Sequence, residues 1–227
     1  MPGRAWRQHN ASWFPRSGPW PTCDCGHRCW SCGGPSQADL DALAGLAADG
    51  VHDPAVQPFR VAWTDVGPAE RARTELQYHW GRWAAWTPAD WRLELAVVRD
   101  GTVVGTQGVS GTDFAIRREV ATGSWLGRSF QGQGIGTQMR AAVLALAFEG
   151  LDARYACSDA FEDNAASLGV SRKLGYTDDG VQLFSIRGRP AVSRRLRLDR
   201  AAWQAARSVP VEVTGLEPCL PDFGLDG

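Results

Sequence analysis

A glycine-rich turn at residues 131–137, Gln-Gly-Gln-Gly-Ile-Gly-Thr, is the segment whose composition points most directly to chemistry. It follows a strand-like stretch and precedes an amphipathic helical pattern. The first backbone N–H groups of a helix have no partner within it, and the helix dipole adds positive potential at that end. Glycines at 132, 134 and 136 would let phosphate oxygens approach these groups without a Cβ in the way. The segment therefore predicts an anion site suited to a pyrophosphate.

Several motifs share such a turn, so its spacing has to be compared with each of them. A dinucleotide-binding fingerprint, Gly-x-Gly-x-x-Gly, does not fit because Thr137 stands where the third glycine should be. A Walker motif does not fit either, because no Gly-Lys-Ser/Thr is present. Taken alone, the turn is also compatible with a helix start that binds nothing.

The spacing does match the acetyl-CoA signature of the GNAT N-acetyltransferases, Gln/Arg-x-x-Gly-x-Gly/Ala, at Gln131, Gly134 and Gly136. Upstream, residues 123–126 resemble the Gly-Tyr-Trp-Leu strand of this family. Downstream, residues 163–176 resemble its helix Asn-x-x-Ser…Lys-x-Gly-Phe/Tyr. The chain is thus similar to GNAT proteins over about residues 36–200, and most similar to the ribosomal-protein-alanine N-acetyltransferase branch.

The resemblance implies an α/β (α+β) fold, with a mixed, largely antiparallel central sheet, flanking helices and a splayed cofactor cleft. It implies acetyl-CoA as co-substrate, with the pantetheine arm pairing like a strand with residues 123–126 and the pyrophosphate on the amides of residues 132–137. The implied cofactor-binding residues are Trp125, Leu126, Gln131, Gly132, Gln133, Gly134, Ile135, Gly136, Thr137 and Asn164. Asn164 is also a favoured helix N-cap, and both roles are compatible.

The implied reaction moves the acetyl group to a primary amine of a protein N-terminus, a peptide or a small molecule, by direct attack on the thioester. The amine must lose a proton, and the departing thiolate needs a donor. The resemblance makes Ser167 the first candidate donor. Ser171, one turn further along, stands where many relatives carry tyrosine. Either hydroxyl could equally be a helix side chain without a catalytic role.

The general base is less clear from the sequence. Branch members carry a glutamate near the position of Ala121, and the nearest carboxylate here is Glu119. Strand alternation puts Glu119 on the same face as Gly123, so it is the candidate base. A surface role for Glu119 and a water-mediated mechanism stay open. A non-catalytic acyl-CoA-binding regulatory module is therefore the alternative function.

Composition limits the possible partners and locations. The 227 residues carry a net charge of −1, which argues against nucleic acid because phosphate binding usually shows as a basic excess. No apolar run is long enough for a membrane helix, and no secretory signal is visible. We expect a cytoplasmic protein, monomeric or homodimeric, without a membrane partner.

Helix-capping and turn residues, together with the spacing of apolar residues, predict the helices and strands that must position these residues. Ser36 and Asp39 form a capping-box pattern, Pro68 can begin a second helix, and Asp100-Gly101 is typical of a hairpin turn. The predicted buried stripe of the second helix is Ala69, Ala72, Leu76, Trp80 and Trp83. Predicted strands are 92–97, 102–110, 119–126, 153–158 and 192–198, and predicted later helices begin at 135 and 164.

The two ends of the chain differ from its centre. Residues 1–35 are rich in Trp, Cys and Pro without periodicity, so we predict an irregular segment followed by a GNAT domain at 36–200 and a C-terminal extension at 201–227. Within the extension, the tail 209–227 has three prolines and no clear periodicity, and we predict that it is loosely attached. No first strand is recognisable before the first helix. Cys23, Cys25, Cys29 and Cys32 could bind zinc, but the Cys-x-Cys spacing is too tight to be typical, so no metal is assigned. A zinc-dependent interaction protein is a third hypothesis.

Overall fold

A computed structural model describes residues 22–24, 30–207 and 210–225. These residues form one nine-stranded sheet with helices on its faces. The strands are β1 (Thr22–Asp24), β2 (Trp30–Gly33), β3 (Asp90–Arg99), β4 (Thr102–Thr112), β5 (Glu119–Leu126), β6 (Tyr155–Phe161), β7 (Thr177–Ile186), β8 (Arg189–Asp199) and β9 (Glu212–Thr214). The helices are α1 (Gln37–Asp49), α2 (Pro68–Ala84), α3 (Phe114–Arg117), α4 (Ile135–Ala145), α5 (Ala165–Lys173) and α6 (Arg200–Ala206).

The sheet is mixed but largely antiparallel. Its order is β7-β8-β6-β5-β4-β3-β2-β1-β9. Every neighbouring pair is antiparallel except β5 and β6, which run parallel. This arrangement confirms the predicted fold class.

Local sequence signals account for several element boundaries. Ser36 and Asp39 form the predicted capping box at the start of α1. Asp100 and Gly101 join β3 to β4 with φ of 49° and 75°, the left-handed conformations that a two-residue hairpin turn requires. A π-helical turn, Leu146–Gly150, extends α4 into the core.

Strand alternation gives the sheet two different faces. Leu93 and Leu95 belong to the main core together with Met139 and Val143 of α4. Glu94, between the two leucines, points the other way and is bonded by a side chain of α2. We call these sides the α4 face and the α2 face.

The predicted buried stripe of α2 was wrong. The helix buries Glu75 and His79, whose Oε1 and Nε2 atoms lie 3.0 Å apart, while Trp80 is 46% exposed. The reason is that α2 packs on a polar part of the sheet, so a hydrogen-bonded polar pair, one helical turn apart, replaces the apolar contact that the spacing suggested.

The N-terminal segment contains strands that the sequence did not reveal. β2 pairs antiparallel with β3 and supplies the first strand missing from the sequence analysis, and β1 pairs with β2. Of the cysteine cluster, Cys25 and Cys29 lie outside the described residues, so the zinc hypothesis does too. The boundaries at 35/36 and 200/201 stay predictions.

The expected loose attachment of the C-terminal extension was wrong. The 3₁₀ segment Glu217–Phe223 brings Phe223, fully buried, against Trp86 and Trp91 at ring-centroid distances of 5.5 and 4.8 Å. Apolar side chains spaced without helical or strand period pack here through a short 3₁₀ turn, which pattern analysis does not detect.

Candidate functional site

The site begins where β5 and β6 separate. Their parallel pairing runs only from Glu119–Tyr155 to Ala121–Cys157. Beyond this vertex β5 continues to Leu126, paired with β4 but with no strand of the described chain on its other side. The open edge of β5 is the predicted splayed cleft, and we call it the wedge.

The glycine-rich turn lies at the open end of the wedge and begins α4. Gly132 and Gly134 have φ of 73° and 81°, which favour glycine. A Cβ added to either would meet no protein atom within 4 Å, so the space above the turn is open. Gly136 differs, because its Cβ would contact Val170 of α5 at 3.4 Å. The first two glycines therefore expose backbone, and the third allows helix packing.

Gln131 and Gln133 hold this turn in place. The Gln131 Nε2 atom donates to the carbonyls of Val51 and Leu126 at 2.7 and 2.9 Å. Gln133 accepts a hydrogen bond of 2.6 Å from Arg99. These contacts tie the turn to the end of β5 and bring a guanidinium beside it, which favours an anion there.

On the α2 face, Glu94, Gly108 and Gly123 stand side by side on β3, β4 and β5, and we call them the glycine row. A Cβ on Gly108 would lie 2.5 Å from Glu94 Oε2, so the carboxylate occupies the space that another residue type would fill. A Cβ on Gly123 would meet nothing within 4 Å. The Glu94 side chain thus reaches across Gly108 toward the wedge edge.

The environment of Glu94 suits a proton acceptor. Its side chain is buried, and the Tyr78 hydroxyl donates to its Oε1 at 2.5 Å. Burial raises the pKa of Glu94, and the Tyr78 hydrogen bond and Arg92 limit that rise. Burial and the Glu94 charge raise the pKa of Tyr78, which stays a donor. A carboxylate with a raised pKa can hold a proton closer to neutral pH than an exposed one.

Comparison with known proteins decides the family. The family model described as "Acetyltransferase (GNAT) domain" matches residues 34–177. The chain belongs to the GNAT acetyltransferase family. It is therefore an acetyl-CoA-dependent N-acetyltransferase, as the acetyl-CoA signature predicted.

Solved structures share the GNAT fold with this chain. Mycobacterium smegmatis RimJ in complex with CoA-disulfide is 17% identical, with a TM-score of 0.64 over 83% of this chain and 90% of that one. RimL, a ribosomal L7/L12 alpha-N-protein acetyltransferase solved with coenzyme A, is 19% identical, with a TM-score of 0.59 over 77% and 96%. Ribosomal-protein-S5-alanine acetyltransferase from Vibrio fischeri is 17% identical, with a TM-score of 0.60 over 77% and 94%.

In this GNAT domain Glu119 lies on the α2 face, as predicted, but its carboxylate is shared. Arg117 and Arg197 donate to it at 2.7 and 2.8 Å. Both oxygens of the carboxylate are thus engaged by guanidinium groups. Its catalytic role stays a prediction. The arginine nearest to Glu94, Arg92, lies farther away, with its Nε atom 3.9 Å from Glu94 Oε1.

The α5 residues of the GNAT motif lie beside the wedge. The Asn164 side chain caps α5 by accepting from the Ser167 N–H at 3.1 Å, which confirms the capping role. Ser167 is half-buried. Ser171 is fully buried, and its hydroxyl has no hydrogen-bond partner among the described residues. The proton-donor role of either serine and the cofactor contact of Asn164 stay predictions.

A loop between α1 and α2 spans the mouth of the wedge on the α2 face. Its Trp63 contacts Trp125 of β5 at a ring-centroid distance of 6.0 Å. Further along β6 its Arg60 forms an ion pair with Asp159. The loop therefore crosses from one arm of the wedge to the other.

Sequence reasoning missed Glu94, Tyr78 and this loop. The alternation of β3 assigned Glu94 to the polar side, but it gave no reason to single it out. A signal was present in Gly108, because a glycine inside a strand pattern often marks a close approach of another group. In the described part of the chain, no helix is long and apolar enough to cross a membrane, and no group of potential metal ligands occurs.

Proposed function

We propose that this chain transfers the acetyl group of acetyl-CoA to a primary amine of a protein N-terminus, a peptide or a small molecule by direct attack on the thioester. The observation that carries the proposal is the meeting of an open β5 edge with an open glycine turn at the start of α4. A chain of amides ending in a pyrophosphate complements that pair of features.

Acetyl-CoA, the acetyl donor, fits the wedge in one direction. Its pyrophosphate would bind the amides of residues 132–137, and its pantetheine arm would pair with residues 123–126. The thioester then lies near the vertex, beside Gly123. Trp125, Leu126 and Asn164 are proposed to contact the arm, as the family resemblance implies.

The acceptor would approach from the α2 face, along the glycine row. Neighbouring strands lie about 4.8 Å apart, so the Glu94 carboxylate over Gly108 is within reach of an amine beside Gly123, directly or through one water. Glu94 accepts a proton from the ammonium form, and the nitrogen lone pair attacks the thioester carbon. The C–S bond breaks and its electron pair leaves with sulfur. The nitrogen, now bonded to the acetyl carbon, loses its second proton to water, and the sulfur takes a proton from solvent.

Cys157 supports direct attack over an acetyl-cysteine intermediate. This residue stands at the vertex on the α2 face. Burial, and next the Glu119 charge, raise the pKa of its thiol to about 11. A thiol that stays protonated near neutral pH is a poor nucleophile, so the amine itself is the better attacking group.

The names of the structural neighbours favour a protein N-terminus as the acceptor, with a small amine as the alternative. Such an acceptor would place the reaction in the cytoplasm, with the enzyme as a monomer or homodimer.

Calorimetric titration with acetyl-CoA, followed by CoA release in a panel of amines, tests this proposal. We expect saturable one-site binding and CoA release that depends on a free α-amine, with the acetylated peptides as matched controls. Binding without release on any amine would favour the regulatory-module alternative. Absence of binding by folded protein would remove the proposal.

A further inference from the structure

A buried arginine bridges the two arms of the wedge on the α4 face. Arg140 of α4 is 4% exposed. Its guanidinium donates to Ser124 of β5 at 3.3 Å, to Ser158 of β6 at 3.0 Å and to Gln107 of β4 at 3.4 Å. Three strands are thus joined to one cationic side chain, and every acceptor is neutral.

No carboxylate neutralises this guanidinium. Among the described residues, none of the ion pairs within 4.0 Å includes Arg140. The nearest acidic residues of β5 and β6, Glu119 and Asp159, alternate onto the opposite face. An unpaired buried charge destabilises a fold, because its hydration is lost without a counter-charge. A neutral side chain could bridge the same three strands at lower cost, so the positive charge calls for a separate explanation.

The position of Arg140 explains why a positive charge is buried here. Ala121 and Cys157 are the last paired residues of β5 and β6. Ser124 and Ser158, the serines that Arg140 bonds, lie just beyond this pair on the α4 face. Under the proposed function, the sulfur of acetyl-CoA comes to rest at this vertex.

A neutral hydroxyl donor lies beside the same strands. The Tyr176 hydroxyl is 3.4 Å from Thr122 Oγ1 of β5, in the residue that follows the last parallel pair. Burial raises the pKa of Tyr176, and the Arg140 charge limits the rise, so the phenol keeps its proton. A fixed cation and a protonated hydroxyl therefore lie on this side of the vertex.

We propose that Arg140 is the cation that stabilises the thiolate of departing CoA, with the Tyr176 hydroxyl as a neighbouring hydrogen-bond donor. This inference rests on the proposed function. As the C–S bond breaks, its electron pair develops a negative charge on sulfur, and a preorganised cation in a dry site stabilises that charge more than water does. The phenol keeps its proton, and CoA leaves as a thiolate that takes a proton from solvent.

The thiol pKa of bound CoA measures this effect without turnover. It is read from the ultraviolet absorbance of the thiolate during a pH titration, with the desulfo-CoA complex as the blank for the thiols of the protein. We expect the pKa in the wild-type complex to lie at least about one unit below that of free CoA. Arg140→Gln should abolish this shift, and Arg140→Lys should keep part of it.

Arg71→Gln is the matched control. Arg71 is partly buried and donates to the carbonyls of Ala47, Ala48 and Val66, none of which lies on β5, β6 or α4. The Arg71→Gln variant should leave the thiol pKa of bound CoA unchanged, even if it lowers the melting temperature of the protein.

The outcomes separate the two proposals. CoA binding without a thiol pKa shift in the wild type would overturn the role of Arg140 and leave the proposed function standing. An equal shift in wild type and Arg140→Gln would overturn it as well. Failure of wild-type protein to bind CoA would overturn both. The wild-type measurement decides the matter even if Arg140→Gln does not fold.

Discussion

The two faces of the wedge are built in different ways. Under the proposed function, the donor side consists of consecutive residues 123–137, in which the backbone of β5, the glycine turn and the start of α4 would supply the binding groups. The proposed acceptor side draws Tyr78 from α2, Glu94 from β3 and Gly108 from β4. A backbone site on one continuous segment tolerates many side chains, whereas the acceptor side depends on single side chains from separate elements.

This difference separates binding from turnover. Changes on the donor side should act on the affinity for acetyl-CoA, and changes on the α2 face should act on the transfer step.

Glu94→Gln should lower kcat/KM by about 10²–10⁴-fold, the usual contribution of a positioned general base. The affinity for acetyl-CoA should not change, because Glu94 is directed at the acceptor. Steady-state kinetics and calorimetry on the same sample measure both quantities. Glu119→Gln is the matched control and should cost less, since its carboxylate is already shared by two arginines. A larger loss of kcat/KM in Glu119→Gln than in Glu94→Gln would indicate that Glu119 is the general base.

Gly134→Val should weaken acetyl-CoA binding by about tenfold or more, equivalent to about 1.4 kcal/mol. The new side chain would stand in the open space that the pyrophosphate needs. Calorimetry measures the loss. Gly188→Val is the control, because Gly188 has a similar φ of 72° in the turn between β7 and β8 and also faces open space. Equal weakening by both variants would show that backbone strain, and not occlusion of the site, is responsible.

The pH dependence of kcat/KM should carry an acidic limb that belongs to Glu94. Burial raises the pKa of this carboxyl, and a base works only when deprotonated, so activity should rise with pH through a pKa above the ordinary carboxyl range. Glu94→Gln should remove that limb.

The same shift has a consequence for stability. The native state holds the proton of the Glu94 carboxyl more tightly than the unfolded chain does. The stability that this bound proton contributes is therefore full below the unfolded pKa of Glu94 and is lost as pH rises through its native pKa. Glu94→Gln should therefore be at least as stable as wild type at neutral pH, as thermal unfolding would show. A marked loss of stability would mean that Glu94 is chiefly structural.

The smallest effect is expected from the loop that spans the wedge. Arg187 binds Asp65 and the Pro54 carbonyl on this loop. Arg187→Gln should raise KM for the acceptor by up to about fivefold, since an exposed ion pair contributes little. The affinity for acetyl-CoA should stay the same. A change in acetyl-CoA affinity alone would place the loop on the donor side.

Sequence patterns predicted the donor side because its signals are local. The Asp100-Gly101 turn, the Ser36 cap and the turn at residues 131–137 each depend on neighbouring residues. The whole of β5 was predicted with its observed bounds, Glu119–Leu126.

The acceptor side could not be predicted in the same way, since contacts between distant elements create it. Nothing in β3 alone shows that Gly108 stands opposite Glu94, or that Tyr78 reaches it from α2. β7 was missed for a related reason. A register shift between Asp178 and Val181 interrupts the alternation by which strands are recognised.

The most direct test of the account is acetylation of a peptide with a free N-terminal alanine, followed by mass spectrometry. We predict one acetyl group on the α-amine with wild-type protein, and almost none with Glu94→Gln, although that variant still binds acetyl-CoA. The contrary result would be an unmodified peptide, and unmodified small amines, after incubation with wild-type protein that binds acetyl-CoA. That result would contradict the claim that the α2 face receives an amine.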